Sequence, residues 1–223
     1  MGENVKFESN GHTCEGYLAL PKSKGPAVVV IQEWWGLVPH IEELAARFAA
    51  AGFLALAPDL YHGQKTTSPD TAAKLLMELD GERAEREIAG AGEFLLGHEL
   101  CSSTKFGVVG FCMGGALAQF STANNPNVGA GVSFYGGFKQ LPIPWESMAA
   151  PILLFYGEND KGVPASQGAE LVARLKALGK SADMVVYPGA DHAFFNDTRP
   201  QVYNEGAARD AWKRTLDLFR NQL

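Results

Sequence analysis

Apolar residues along this chain follow two alternating patterns. Ala27-Val28-Val29-Val30-Ile31, Phe53-Leu54-Ala55-Leu56-Ala57, Lys105 to Phe111, Val128 to Tyr135, Pro151 to Tyr156 and Ala182 to Tyr187 are near-continuous apolar runs. Runs of this kind suit strands of a parallel sheet that is covered on both faces. Between them the period changes to that of a helix. His40 to Ala51 places Ile41, Leu44, Ala45 and Phe48 on one helical face and is stopped by Gly52. Thr71 to Leu79, Glu82 to Leu96, Ala116 to Ala123, Ala165 to Leu178 and Asn204 to Leu218 also read as helices, with Gly179 a C-cap signal for the fourth of these.

The N-terminal pattern differs. Val5 to Glu8 and Thr13 to Leu18 flank Asn10-Gly11, a favoured hairpin turn pair, so an antiparallel hairpin is expected there. The rest alternates strand and helix, which predicts right-handed parallel crossovers. The expected fold is therefore α/β: a mostly parallel, doubly wound sheet led by an antiparallel hairpin. No internal repeat, low-complexity tract or linker interrupts it, so residues 1–223 are expected to form one domain.

Composition removes several classes of function. The chain is 46% hydrophobic and 20% charged, carries a net charge of -6 and has no run of Lys or Arg. Nucleic acid and anionic membrane are thus not expected as partners. No apolar run approaches the ~20 residues of a membrane span. Met1-Gly2-Glu3-Asn4 lacks the form of a secretory signal, and Lys6 stands where a myristoylation signal needs Ser or Thr. Cys14, Cys101 and Cys112 are three cysteines at unrelated spacings, which argues against both a disulfide framework and a zinc site. A cytoplasmic protein without metal, monomeric or weakly self-associating, is expected. Gly90-Ala91-Gly92 lacks a third glycine and a preceding strand, so no dinucleotide cofactor is expected.

The chemistry concentrates at Gly107-Val108-Val109-Gly110-Phe111-Cys112-Met113-Gly114-Gly115. A buried strand running into Gly-x-Cys-x-Gly-Gly and then a helix has the form of a nucleophile elbow, which lifts its central residue above the sheet. The helix N-terminus beneath it would favour a thiolate. The competing reading is a buried cysteine beside a glycine-rich turn. A nucleophile also needs a base and an acid that orients the base. Asp160, in Gly157-Glu158-Asn159-Asp160, and His192, in Gly189-Ala190-Asp191-His192, follow later strands in the order nucleophile, acid, histidine.

Glu33 ends the first parallel strand and is followed by Trp34 and Trp35. It is either an exposed strand-end charge or a carboxyl at the mouth of the pocket, where apolar neighbours would raise its pKa and let it share a proton with the thiol. The oxyanion donors are expected to be the Trp34 and Met113 backbone N–H groups. Trp35, Tyr135, Phe195 and Asn196 are the expected substrate contacts.

Gln32-Glu33-Trp34-Trp35-Gly36, Ala57-Pro58-Asp59-Leu60-Tyr61, the Cys112 elbow, Gly157-x-x-Asp160 and His192-Ala193-Phe194 together resemble the dienelactone hydrolase family, over essentially the whole chain. The resemblance implies a Cys112-His192-Asp160 triad within an α/β-hydrolase fold, with Glu33 activating the cysteine when substrate arrives and no cofactor. The family's reaction opens an unsaturated lactone bearing a carboxylate to maleylacetate. The dienelactone enzymes place an arginine where this chain has Asn196, and another after the Pro-Asp-Leu-Tyr motif. From Tyr61 to Asp80 this chain has only Lys65 and Lys74; Arg83, Arg86 and Arg199 are the remaining substitutes. The expected activity is hydrolysis of a small ester or lactone through a cysteine acyl-enzyme. The alternatives are a non-catalytic relative that binds a small ligand or partner, and a thiol-sensing role for Cys112.

Overall fold

β1 (Gly2–Ser9) and β2 (His12–Ala19) form the N-terminal hairpin, with Asn10 and Gly11 both at positive φ in its turn. In this computed structural model, which describes residues 2–137 and 141–223, β2 also pairs antiparallel with β4 (Leu54–Pro58). From there the sheet is parallel. β3 (Gly25–Ile31) lies between β4 and β5 (Cys101–Phe111), followed by β6 (Val128–Phe134), β7 (Ile152–Gly157) and β8 (Ala182–Tyr187). The strand order is β1-β2-β4-β3-β5-β6-β7-β8.

Strand alternation divides the core between the two faces. Val28 and Val30 of β3 pack with Phe48 of α1 (Pro39–Ala50) and Phe219 of α6 (Glu205–Gln222). Val29 and Ile31 face the other way, onto Ile88 and Leu95 of α3 (Gly81–Leu96) and Leu117 of α4 (Met113–Asn124). A third cluster joins β7 to Val172 and Leu175 of α5 (Ala165–Ala177). α2 (Pro69–Glu78) adds Ala72 and Leu75 to the buried set. Helices on both faces make the sheet doubly wound. No described helix is long and apolar enough to cross a membrane.

The structure departs from the hydropathy pattern in two places. β5 begins at Cys101, not Lys105, because Gly25 pairs with Cys101 and its N–H donates to Leu100 O; that end of the strand is polar and largely uncovered. A short 3-10 turn, Trp145–Ser147, has no periodicity to announce it and is anchored by buried Trp145. Strands β3 to β8 run in parallel, so all their carboxyl ends reach one edge of the sheet. The loops that leave that edge carry the candidate chemistry.

Candidate active site

Cys112 is the one residue between the end of β5 and the start of α4, and its backbone is held at φ 55°, ψ -115°. A left-handed non-glycine residue costs about 1–3 kcal/mol and persists only where its surroundings impose it. Here the Cys112 N–H donates to Phe134 O at 3.0 Å, and its carbonyl accepts from Ala116 N–H at 3.3 Å. The flanking glycines permit the turn. A β-carbon at Gly110 would run into the Gly114 carbonyl, and one at Gly114 into the Gln32 carbonyl. Cys112 is only partly buried, whereas Cys14 lies in the core.

Asp160 and His192 come together across the loops after β7 and β8. His192 Nδ1 lies 2.6 Å from Asp160 Oδ2. The other Asp160 oxygen, Oδ1, accepts from Gly162 N–H at 2.9 Å and Val163 N–H at 2.8 Å, so the carboxylate is clamped on both sides. With Nδ1–H directed at Asp160, the tautomer leaves Nε2 for the sulfur. Burial is the strongest single influence on the imidazole and opposes its charge. Hydrogen bonds to Asp160 and Cys112 and the charges of both prevail, and the His192 pKa is pushed up to about 10.

Glu33 follows β3 and is 2% exposed. Burial raises its pKa, against the opposing influence of the His192 charge, a hydrogen bond from Asn196 and the Arg199 charge. Asn196 Nδ2 donates to Glu33 Oε2 at 3.1 Å. Trp34 and Trp35 pack edge to face beside it, with ring centroids 4.9 Å apart. The Trp34 N–H makes no backbone hydrogen bond among the described residues. Met113 is the first residue of α4, where an N–H has no intrahelical acceptor.

A cleft of about 500 Å³ opens at this edge, with Glu33, Trp35, His40, Asn196, Thr198 and Arg199 among its walls. Trp35 and Asn196 thus stand in the cleft. Tyr135, fully buried, is not one of the cleft's walls but packs its ring 4.9 Å from that of His192. Phe195 is also outside the cleft: it lies in the aromatic core, with ring centroids 4.8 Å from Phe134 and 5.5 Å from Phe111. Neighbouring side chains at 195 and 196 diverge, which a motif read in one dimension does not reveal.

The three remaining arginines also separate. Arg83 pairs with Glu87 at 2.8 Å and Arg86 with Glu82 at 3.9 Å, both on α3. Only Arg199 reaches the cleft. His40, which in sequence is merely a histidine at a helix start, is buried, lines the cleft and has Nδ1 3.5 Å from Asp197 Oδ1. Tyr61 is a second residue that the motif reading left without a role: its hydroxyl donates to the Met113 sulfur at 3.1 Å. Its place in the Pro-Asp-Leu-Tyr stretch was the available signal.

Known proteins resemble this chain over nearly its whole length. Residues 14–223 match the model of the dienelactone hydrolase family. "Protein usf" of Aquifex pyrophilus is 37% identical, with 100% of each chain covered. A protein of Aquifex aeolicus named "Putative carboxymethylenebutenolidase" is 36% identical, again with 100% of each covered. The crystal structure of a "Putative Dienelactone Hydrolase" from Klebsiella pneumoniae superposes with a TM-score of 0.90 at 31% identity, covering 99% of this chain and 98% of that one.

Proposed function

This chain belongs to the dienelactone hydrolase family, and from that premise we propose that it hydrolyses a small ester or lactone through an acyl-enzyme on Cys112. The observation that carries the reading is the 2.6 Å contact of His192 with a clamped Asp160, beside a cysteine held in a left-handed turn. The sulfur attacks the carbonyl carbon, and the Trp34 and Met113 N–H groups receive the oxyanion. The His192 imidazolium gives its proton to the departing oxygen, and Asp160 keeps the ring oriented. Water then adds to the thioester with His192 as base, releasing the acid and the free sulfur. Glu33, buried and raised in pKa, is suited to hold a proton near the sulfur before substrate enters.

The same cleft favours a substrate with an acidic group. Arg199 lines it, and its charge is felt by both Glu33 and Tyr135. In this loop Asp197 pairs with Arg47 at 3.6 Å and lies 3.5 Å from His40, and Arg199 makes no ion pair among the described residues. A guanidinium with no ion-pair partner among the described residues, in a cleft walled by Trp35, Val38 and Pro39 as well as by polar groups, suits a carboxylate. It supplies from position 199 the charge that Asn196 lacks.

The test is acyl transfer to the sulfur. With p-nitrophenyl acetate, a burst and a mass increase of one acetyl group on the Cys112 peptide are expected, and Cys112→Ala should abolish both. Turnover that survives Cys112→Ala rules out the cysteine mechanism. Binding of ligands without turnover of any ester points instead to a non-catalytic relative.

A further inference from the structure

Two buried tyrosines feel the charge of Cys112, and they differ in one respect. Tyr61 has its hydroxyl committed to the Met113 sulfur at 3.1 Å. Tyr135 is 0% exposed, yet its hydroxyl has no hydrogen-bond partner among the described residues. Burying an unpaired donor opposes folding, and so does the positive φ of 41° at which Tyr135 is held. Two unfavourable features at one residue beside the reacting groups suggest that its partner arrives with the substrate.

The surroundings indicate which substrate atom that is. Tyr135 immediately follows β6, whose last residue, Phe134, accepts the Cys112 N–H. Its ring lies 4.9 Å from the His192 ring, and Phe194 packs on it edge to face at 5.5 Å. The Trp34 and Met113 amides take the carbonyl oxygen, so the oxygen left on the His192 side is the one that departs. We propose that the Tyr135 hydroxyl donates a hydrogen bond to the leaving-group oxygen of the ester or lactone, sharing that oxygen with His192. This deepens the hydrolase reading and rests on it.

When the tetrahedral adduct collapses, the carbon–oxygen bond breaks and its electron pair goes to the departing oxygen. His192 Nε2–H supplies the proton, while Tyr135 keeps its own and only stabilises the charge. Burial and the charges of Glu33 and Cys112 push the Tyr135 pKa well above its ordinary value, which suits a permanent donor.

Tyr135→Phe removes one oxygen and leaves the ring contacts in place. It should be assayed on acetate esters whose leaving groups run from p-nitrophenol through phenol and trifluoroethanol to ethanol. A donor to the leaving oxygen matters most where negative charge builds up most. The loss in kcat/KM should therefore be small for the p-nitrophenyl ester and about tenfold or more for the ethyl ester. The melting temperature should stay equal or rise, because an orphan donor is gone. An equal loss across the series, or a lowered melting temperature with no dependence on the leaving group, overturns the proposal while Cys112-dependent turnover leaves the hydrolase reading intact. A wild-type enzyme inert toward every ester overturns both.

Discussion

Asn196 Nδ2 donates to Glu33 Oε2 across 3.1 Å, joining residues 163 positions apart. The bond holds the loop after His192 against the loop after β3. It also leaves the buried Glu33 carboxyl with a neutral donor, where an arginine would have supplied a full positive charge. A neutral donor offsets less of the cost of burying an ionised carboxylate, and burial remains the dominant influence on Glu33.

Glu33→Gln should therefore stabilise the protein and impair it. A carboxyl whose folded pKa is raised contributes stability below its unfolded pKa, and that contribution is lost as pH rises through the folded value. Once pH exceeds the raised folded value, the wild type bears the cost of an ionised buried group and the glutamine variant does not. Thermal melts should put Glu33→Gln above wild type by roughly 2–4 °C at pH 8, with the difference shrinking as pH falls toward 4. A difference that does not change with pH counts against a titrating Glu33.

For His192 the sign is the same and the cause is different. Its folded pKa, about 10, exceeds the ordinary imidazole value because of Asp160 and Cys112. The stability it contributes is complete below the unfolded value near 6.5 and fades as pH rises toward 10. Cys112→Ala removes one hydrogen bond and one charge from the imidazole, so its pKa should fall. NMR titration of the imidazole in the two proteins measures this directly. An unchanged value would separate His192 from the sulfur.

Asp160→Asn keeps an oxygen for Gly162 and Val163 N–H and turns an amide NH₂ toward His192. The imidazole must then accept at Nδ1, which places its proton on Nε2, facing the sulfur it should deprotonate. The expected result is a folded protein with kcat/KM lowered by roughly three to four orders of magnitude, read in steady-state assays alongside circular dichroism.

Arg199→Met should discriminate between substrates. For esters with a pendant carboxylate, KM should rise about tenfold; for neutral esters of the same size it should change little. A uniform change in both series would make Arg199 a part of the loop's structure rather than an anion site.

Much of this architecture is written locally. The β-branched runs at Ala27–Ile31 and Lys105–Phe111 can satisfy their apolar surface only inside a covered sheet, and the helical segments between them supply the cover. Gly110, Gly114 and Gly115 mark the elbow because close backbone approach excludes side chains there. The order of Cys112, Asp160 and His192 is legible for a similar reason: each follows a strand, and parallel strands end on one edge. What no local pattern carries is the direction in which a loop side chain points. Phe195 and Asn196 are neighbours, yet one fills the core and the other reaches Glu33. Arg83, Arg86 and Arg199 are equivalent in composition, yet α3 directs two of them to its own carboxylates and only the third faces the cleft. The placements of Asn196 and Arg199 depend on packing against segments more than a hundred residues away, and the folded chain alone decides them, because a side chain's partner is set by distance in space and not by position along the chain.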